Sequence, residues 1–138
     1  MRSFFDTNIL VYLFDEDFPE KKAQAQALLE KETKNGKTLI STQVLQEFYV
    51  TVTRKLEVPL SPEKAEEVVR QFMVFPLVEI NSSHILKAIR KSINLGFSFW
   101  DALIIEAAVS GGASILYTED LQHGQIIDNL KILNPFQS

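Results

Sequence analysis

Asp6, Glu47, Asp101 and Asp120 are the residues of this chain whose type and setting can do chemistry together. Asp6 closes the run Ser3, Phe4, Phe5, a short buried strand ending on a carboxylate, and Thr7 and Asn8 follow before apolar spacing resumes at Ile9 and Leu10. No glycine-rich loop comes after it, so this turn presents an anion where a phosphate-binding turn presents backbone N–H groups. The pattern returns near the other end, where the apolar run Ala113 to Tyr117 halts at Thr118, Glu119 and Asp120. Glu47 and Asp101 each occupy the early part of a helix. Carboxylates gathered at one end of a sheet repel one another and take up protons unless cations neutralise them. Oxygen donors without histidine or thiolate suit Mg²⁺ or Mn²⁺ rather than zinc.

Each acid also has a plainer reading. Glu47 lies near the border of an apolar helical stripe, where it can aim over the sheet end or be a surface glutamate in a helix that favours glutamate. Ser98 and Asp101 have the S-x-x-D spacing of a capping box, so Asp101 is either a cap or a site acid entering a protected first turn. Glu119 competes with Asp120, and both suit a turn. The acidic run Asp15, Glu16, Asp17 precedes a helix start and reads as solvated. His84 reads as a capping or surface-exposed residue, Glu106 as structural or exposed, and His123 as a loop residue or a group near a bound phosphate.

The elements that must position these residues alternate strand and helix. Helices are expected over Asn8 to Phe14, from Pro19 to about Lys34 with Asn35 and Gly36 as its stop, and from Ser41 or Thr42 through Val44, Leu45, Phe48, Val52 and Leu56. Ser61, Pro62 and Glu63 start another, to about Phe72; Ser82 or Ser83 starts the next, which Gly96 ends. Phe97 to Gly112 is apolar nearly all round, the mark of a covered helix. Thr38 to Ser41, Phe75 to Ile80 (an edge strand, given Pro76) and Lys131 to Leu133 complete the strands. This order implies an α/β sandwich with a mostly parallel sheet of about five strands, helices on both faces and ligands at the carboxyl ends of the strands. Residues 1–138 read as one domain, with no repeat or linker.

The chain has no cysteine, which excludes disulfides, thiolate metal sites and thiol nucleophiles. No signal peptide or membrane-length apolar run is seen, so a cytoplasmic protein is expected. Its net charge of −4 opposes bulk attraction of nucleic acid. Setting the four site acids aside leaves 14 basic against 14 acidic residues, and two divalent cations bring the whole to neutral. Lys87, Arg90 and Lys91 form a basic patch that can meet phosphates or be a solvated helix face.

Four segments carry a family likeness: Phe5-Asp6-Thr7-Asn8 with Ile9 and Leu10; Gln46-Glu47-Phe48-Tyr49; Ser98-Phe99-Trp100-Asp101-Ala102-Leu103-Ile104; and Leu116-Tyr117-Thr118-Glu119-Asp120. In these the chain resembles the PIN-domain ribonucleases, specifically the VapC-type toxins of bacterial and archaeal toxin–antitoxin pairs, over essentially its full length. The resemblance implies a three-layer PIN-like sandwich with the first and fourth strands adjacent. It implies that Asp6, Glu47, Asp101 and Asp120 bind Mg²⁺ or Mn²⁺, with Thr7, Asn8 and Thr118 in support, and its strand-Thr-x-Asp pattern favours Asp120 over Glu119. It further implies an RNA substrate, a homodimer and an antitoxin that blocks the site. The chemistry expected is endonucleolytic hydrolysis of RNA by metal-activated water, leaving a 5′-phosphate and a 3′-hydroxyl.

Two rivals have distinct signatures. A phosphate-transfer receiver needs an aspartyl nucleophile ending a middle strand, and Thr38 to Ser41 ends without one. A non-catalytic PIN-like module would bind RNA or protein without cleaving it, a reading that the complete set of acids opposes.

Overall fold

The computed structural model describes residues 1–137. In chain order the elements are β1 (Arg2–Phe5), α1 (Thr7–Tyr12), α2 (Pro19–Lys34), β2 (Thr38–Ser41), α3 (Thr42–Arg54), α4 (Pro62–Phe72), β3 (Leu77–Val78), α5 (Ser82–Leu95), α6 (Phe99–Ser110), β4 (Ala113–Tyr117), β5 (Ile126–Ile127) and β6 (Leu130–Leu133). The strands form one sheet in the order β3-β2-β1-β4-β6-β5. Every pairing is parallel except that of β5 with β6. As the likeness implied, β1 and β4 are neighbours, with Phe4 opposite Leu116 and Phe5 opposite Tyr117.

Strand order and handedness together dictate the layers. From β1 the chain steps to β2 and then β3 in one direction, and right-handed crossovers put α1 to α4 on one face. It then returns past β1 to β4, which puts α5 and α6 on the other. The order reverses between β1 and β4, and the crevice beyond the carboxyl ends of strands at such a reversal is where open sheets bind ligands. Asp6 follows β1 and Thr118 follows β4, so both arrive at that crevice.

The core strands are apolar on both faces, as parallel strands must be. Phe4, Phe5, Leu39, Ile40 and Leu116 are all buried. On the first face Phe48 packs edge-on against Phe72 at 5.1 Å and Phe14 at 5.7 Å, tying α3 to α4 and α1. On the second, α6 buries Ala102 through Ala108 without interruption, as its all-round apolar sequence predicts. Gly111 lets the end of α6 approach the sheet, since a Cβ there would lie 2.6 Å from the Leu39 side chain and 2.8 Å from that of Val78.

Three departures from the sequence expectation have simple causes. The strand expected over Phe75 to Ile80 is only Leu77–Val78, at the sheet edge, because Pro76 cannot extend the ladder. The helix after it is capped by Asn81 rather than by a serine, and His84 completes a reciprocal capping box, one of the two roles expected of it. A sixth strand appears: Asp128 and Asn129, both at positive φ, make a two-residue turn that folds Ile126–Ile127 antiparallel onto β6. Among the described residues no single helix is long and apolar enough to cross a membrane.

Candidate active site

Asp6 ends β1 and caps α1, and its carboxylate is only 5% exposed. The Thr7 N–H donates to Oδ1 at 2.7 Å and the Thr118 hydroxyl to Oδ2 at 2.7 Å. Burial nevertheless pushes its pKa up to about 7; the two donors pull it down in part, while the nearby Asp120 and Glu47 charges raise it further. Thr7 serves a second acid, because its hydroxyl donates to Glu47 Oε1 at 2.7 Å. Glu47 projects from α3, in the second turn after the Ser41 cap, and the Gln43 amide one turn earlier reaches Glu47 Oε2 at 3.3 Å.

Across the crevice, Asn8 reads the turn after β4. Its amide nitrogen donates to Asp120 Oδ2 at 2.8 Å and its carbonyl accepts the Glu119 N–H at 3.3 Å. The two acids have different partners. Glu119 turns toward α2, where it accepts from the Tyr12 hydroxyl at 2.6 Å and pairs with Lys21, while Asp120 stays over the crevice. Asp101 opens α6. Ser98 accepts its backbone N–H at 3.1 Å, so the cap is real, and yet the carboxyl is raised above the usual range by burial and by Asp120, against the lowering contact with Ser98.

The four acids thus sense one another in overlapping pairs, and none takes part in an ion pair among the described residues. An open cleft of about 690 Å³ is lined by Thr7, Asn8, Glu47, Lys55, Trp100 and Asp120, whereas Asp6 and Asp101 are not among its lining residues. No three Asp, Glu or His side chains among the described residues stand close enough to hold a cation unaided. The donors are all oxygen and mutually repelling, which fits a hydrated hard cation such as Mg²⁺, an ion that keeps several waters and takes one or two carboxylates directly.

Sequence comparison gives this arrangement its family. The PIN domain family matches residues 3–127. The chain belongs to the PIN domain family. No curated protein matches it. Among solved structures, this PIN domain is similar in fold to a toxin–antitoxin complex from Klebsiella pneumoniae, at 18% identity and TM-score 0.72 over 99% of each chain. It is also similar to VapBC2 of Rickettsia felis, solved bound to a fragment of promoter DNA, at 22% identity and TM-score 0.68 over 96% of this chain and 97% of that one. A third is VapC20 of Mycobacterium tuberculosis, a toxin that cleaves the sarcin–ricin loop, at 17% identity and TM-score 0.67 over 86% and 89%.

The basic residues proposed for phosphate contact fare differently in the PIN domain. Lys91 is withdrawn, its side chain 10% exposed between Glu106, at 3.1 Å, and Asp128. Lys87 and Arg90 are exposed, but they border a separate depression with Leu86 and Leu95 rather than the acid cleft. His123 accepts the Asn134 N–H at 2.9 Å, the loop role that was one of its two readings. Sequence reasoning passed over Gln43, Trp100 and Lys55. Gln43 donates both to Glu47 and to the Trp100 carbonyl, at 3.2 Å, joining α3 to α6, and its own buried carbonyl has no partner among the described residues. Its position one turn ahead of Glu47 was the available signal.

Proposed function

We propose that this PIN domain is a Mg²⁺- or Mn²⁺-dependent endoribonuclease, the toxin of a toxin–antitoxin pair, acting in the cytoplasm as a homodimer that its antitoxin inhibits. The observation that carries the nuclease reading is the mutual influence of Asp6, Glu47 and Asp120 at the β1/β4 reversal, none of them in an ion pair among the described residues. Support for the toxin role comes from the fold shared with VapBC proteins.

Asp6, Glu47, Asp101 and Asp120 would hold the ion. When bound, it supplies the positive charge that a phosphodiester needs on approach and that acidifies an attacking water. The remaining work falls to the chain. Thr118 and the Thr7 amide hold the Asp6 carboxylate in one orientation, Thr7 and Gln43 hold the two oxygens of Glu47, and Asn8 holds Asp120. Such outer contacts fix ligand geometry before substrate arrives. No protein nucleophile is required, since water attacks in line.

Mixed single-stranded and structured RNA incubated with Mg²⁺, with Mn²⁺ and with a chelator tests this. Cleavage is expected with either metal, none in chelator, and none with Asp101→Asn. Full activity of that variant would overturn the assignment. The unclosed spacing of the carboxylates favours one alternative, a PIN-like module that binds RNA or protein without cleaving it. Bound but intact RNA in every lane would select it.

A further inference from the structure

The sole tryptophan of the chain, Trp100, sits on the wall of the acid cleft with 61% of its surface exposed. Leaving an indole in water forgoes the burial that places most tryptophans inside. Its backbone is not loose. The Gln43 amide holds the Trp100 carbonyl at 3.2 Å, and the Phe99 ring meets the indole edge-on at 5.0 Å, so the ring is oriented although it is exposed. The next residue in the chain is Asp101. A rigid aromatic face therefore stands beside the carboxylates, and nothing in its own protein covers most of it.

The charge around that face decides what it is for. Among the described residues Lys55 is the one basic residue lining the cleft, against Asp15, Glu47 and Asp120, and the chain carries a net −4. Release of counterions from phosphates, the usual source of affinity for a nucleic acid, is small here. A polyanion drawn to this cleft needs attraction that does not depend on charge. Stacking of a base on an aromatic ring is of that kind, and only an unpaired base offers its face. We propose that Trp100 is a stacking platform for an unpaired base next to the phosphate presented to the acids. This rests on the nuclease reading for the identity of the strand, but its test does not require cleavage.

The indole is its own reporter. Ten-nucleotide oligoadenylate and oligouridylate are titrated into the protein in chelator, and again with Ca²⁺, while Trp100 fluorescence is followed. The comparison strands are a blunt duplex of the same length and an oligomer with abasic riboses. Quenching by the single strands, stronger for adenine, and not by the duplex or the abasic strand is expected. Trp100→Leu should weaken single-strand binding roughly tenfold, by the same factor at 50 and 200 mM salt, and Trp100→Phe should restore much of it. Lys55→Ala should instead flatten the salt dependence, by about 0.7 in the log–log slope. Unchanged fluorescence with every RNA, or a Trp100→Leu protein that binds single strands as the parent does, would overturn the platform while leaving RNA cleavage by the parent intact. Absence of cleavage by the parent with Mg²⁺ and Mn²⁺ would sink the nuclease reading instead, and the quenching result would still decide the platform.

Discussion

Glu106 and Asp6 are both buried acids, 8% and 5% exposed, yet Glu106 faces Lys91 at 3.1 Å while Asp6 faces Glu47 and Asp120. Glu119 and Asp120 repeat the contrast one residue apart. Glu119 is held by Lys21, itself ringed by Tyr12, Phe18 and Phe136 at 5.0 to 5.5 Å, whereas Asp120 has the neutral amide of Asn8. Glu106 and Glu119 are each given a lysine, while the buried Glu32 is held by the hydroxyls of Ser3 and Tyr117. At the β1/β4 reversal, Asp6, Glu47 and Asp120 sense one another with no ion pair among the described residues, which costs stability and is the arrangement that the proposed cation would relieve.

The sharpest way to break this contrast is to neutralise one member of each class. Asp6→Asn should take RNA cleavage to background and raise the melting temperature of the metal-free protein, because it removes a charge that burial, and then the neighbouring acids, disfavour. Lys91→Met should do the reverse, destabilising by about 3–5 kcal/mol through the buried Glu106 it strands. Thermal unfolding and RNA cleavage, measured on both variants, check the pair. If both variants destabilise, the two classes are not different in kind.

A pH series sharpens the same point. Asp6 titrates near 7 in the folded chain against 3.8 as its ordinary value, so between these the folded state binds more protons than the unfolded one. Stability of the metal-free protein should fall as pH rises through that window, by on the order of 3–4 kcal/mol, and saturating Mn²⁺ should reverse the slope. Denaturant titrations at pH 4 and 8 measure it. Smaller still, Thr118→Val removes the hydroxyl that donates to Asp6 Oδ2 at 2.7 Å and should weaken Mn²⁺ binding about 10–100-fold, as loss of a ligand-orienting contact does. Smallest is Lys21→Met, which frees the partly exposed Glu119 at a cost of about 1 kcal/mol or less, read from thermal unfolding.

The contrast also explains what could be read from the sequence. Asp6 and Asp120 were legible because each ends an apolar strand, and the alternation of elements fixes where strand ends go. Their supports in Thr7, Asn8 and Thr118 lie within two residues of them and came with the same motifs. What was hidden depends on distant partners. Lys21 and Glu119 are 98 residues apart in sequence, and Lys91 and Asp128 are 37 apart, so no local pattern announces which acids are paired off. That is why Lys91 looked free to meet phosphate. The β5–β6 hairpin hid for another reason: an Asp-Asn turn between two-residue and four-residue strands lacks the glycine that usually marks such a turn.

Calorimetric titration of the purified protein with Mn²⁺ at pH 7, in two buffers of different ionisation heat, tests the site most directly. Because Asp6 is about half protonated there, binding is expected to release a fraction of a proton per ion and to be lost in Asp6→Asn. Equal Mn²⁺ affinity in parent and variant, with no protons released by either, would contradict the assignment of these acids to a cation.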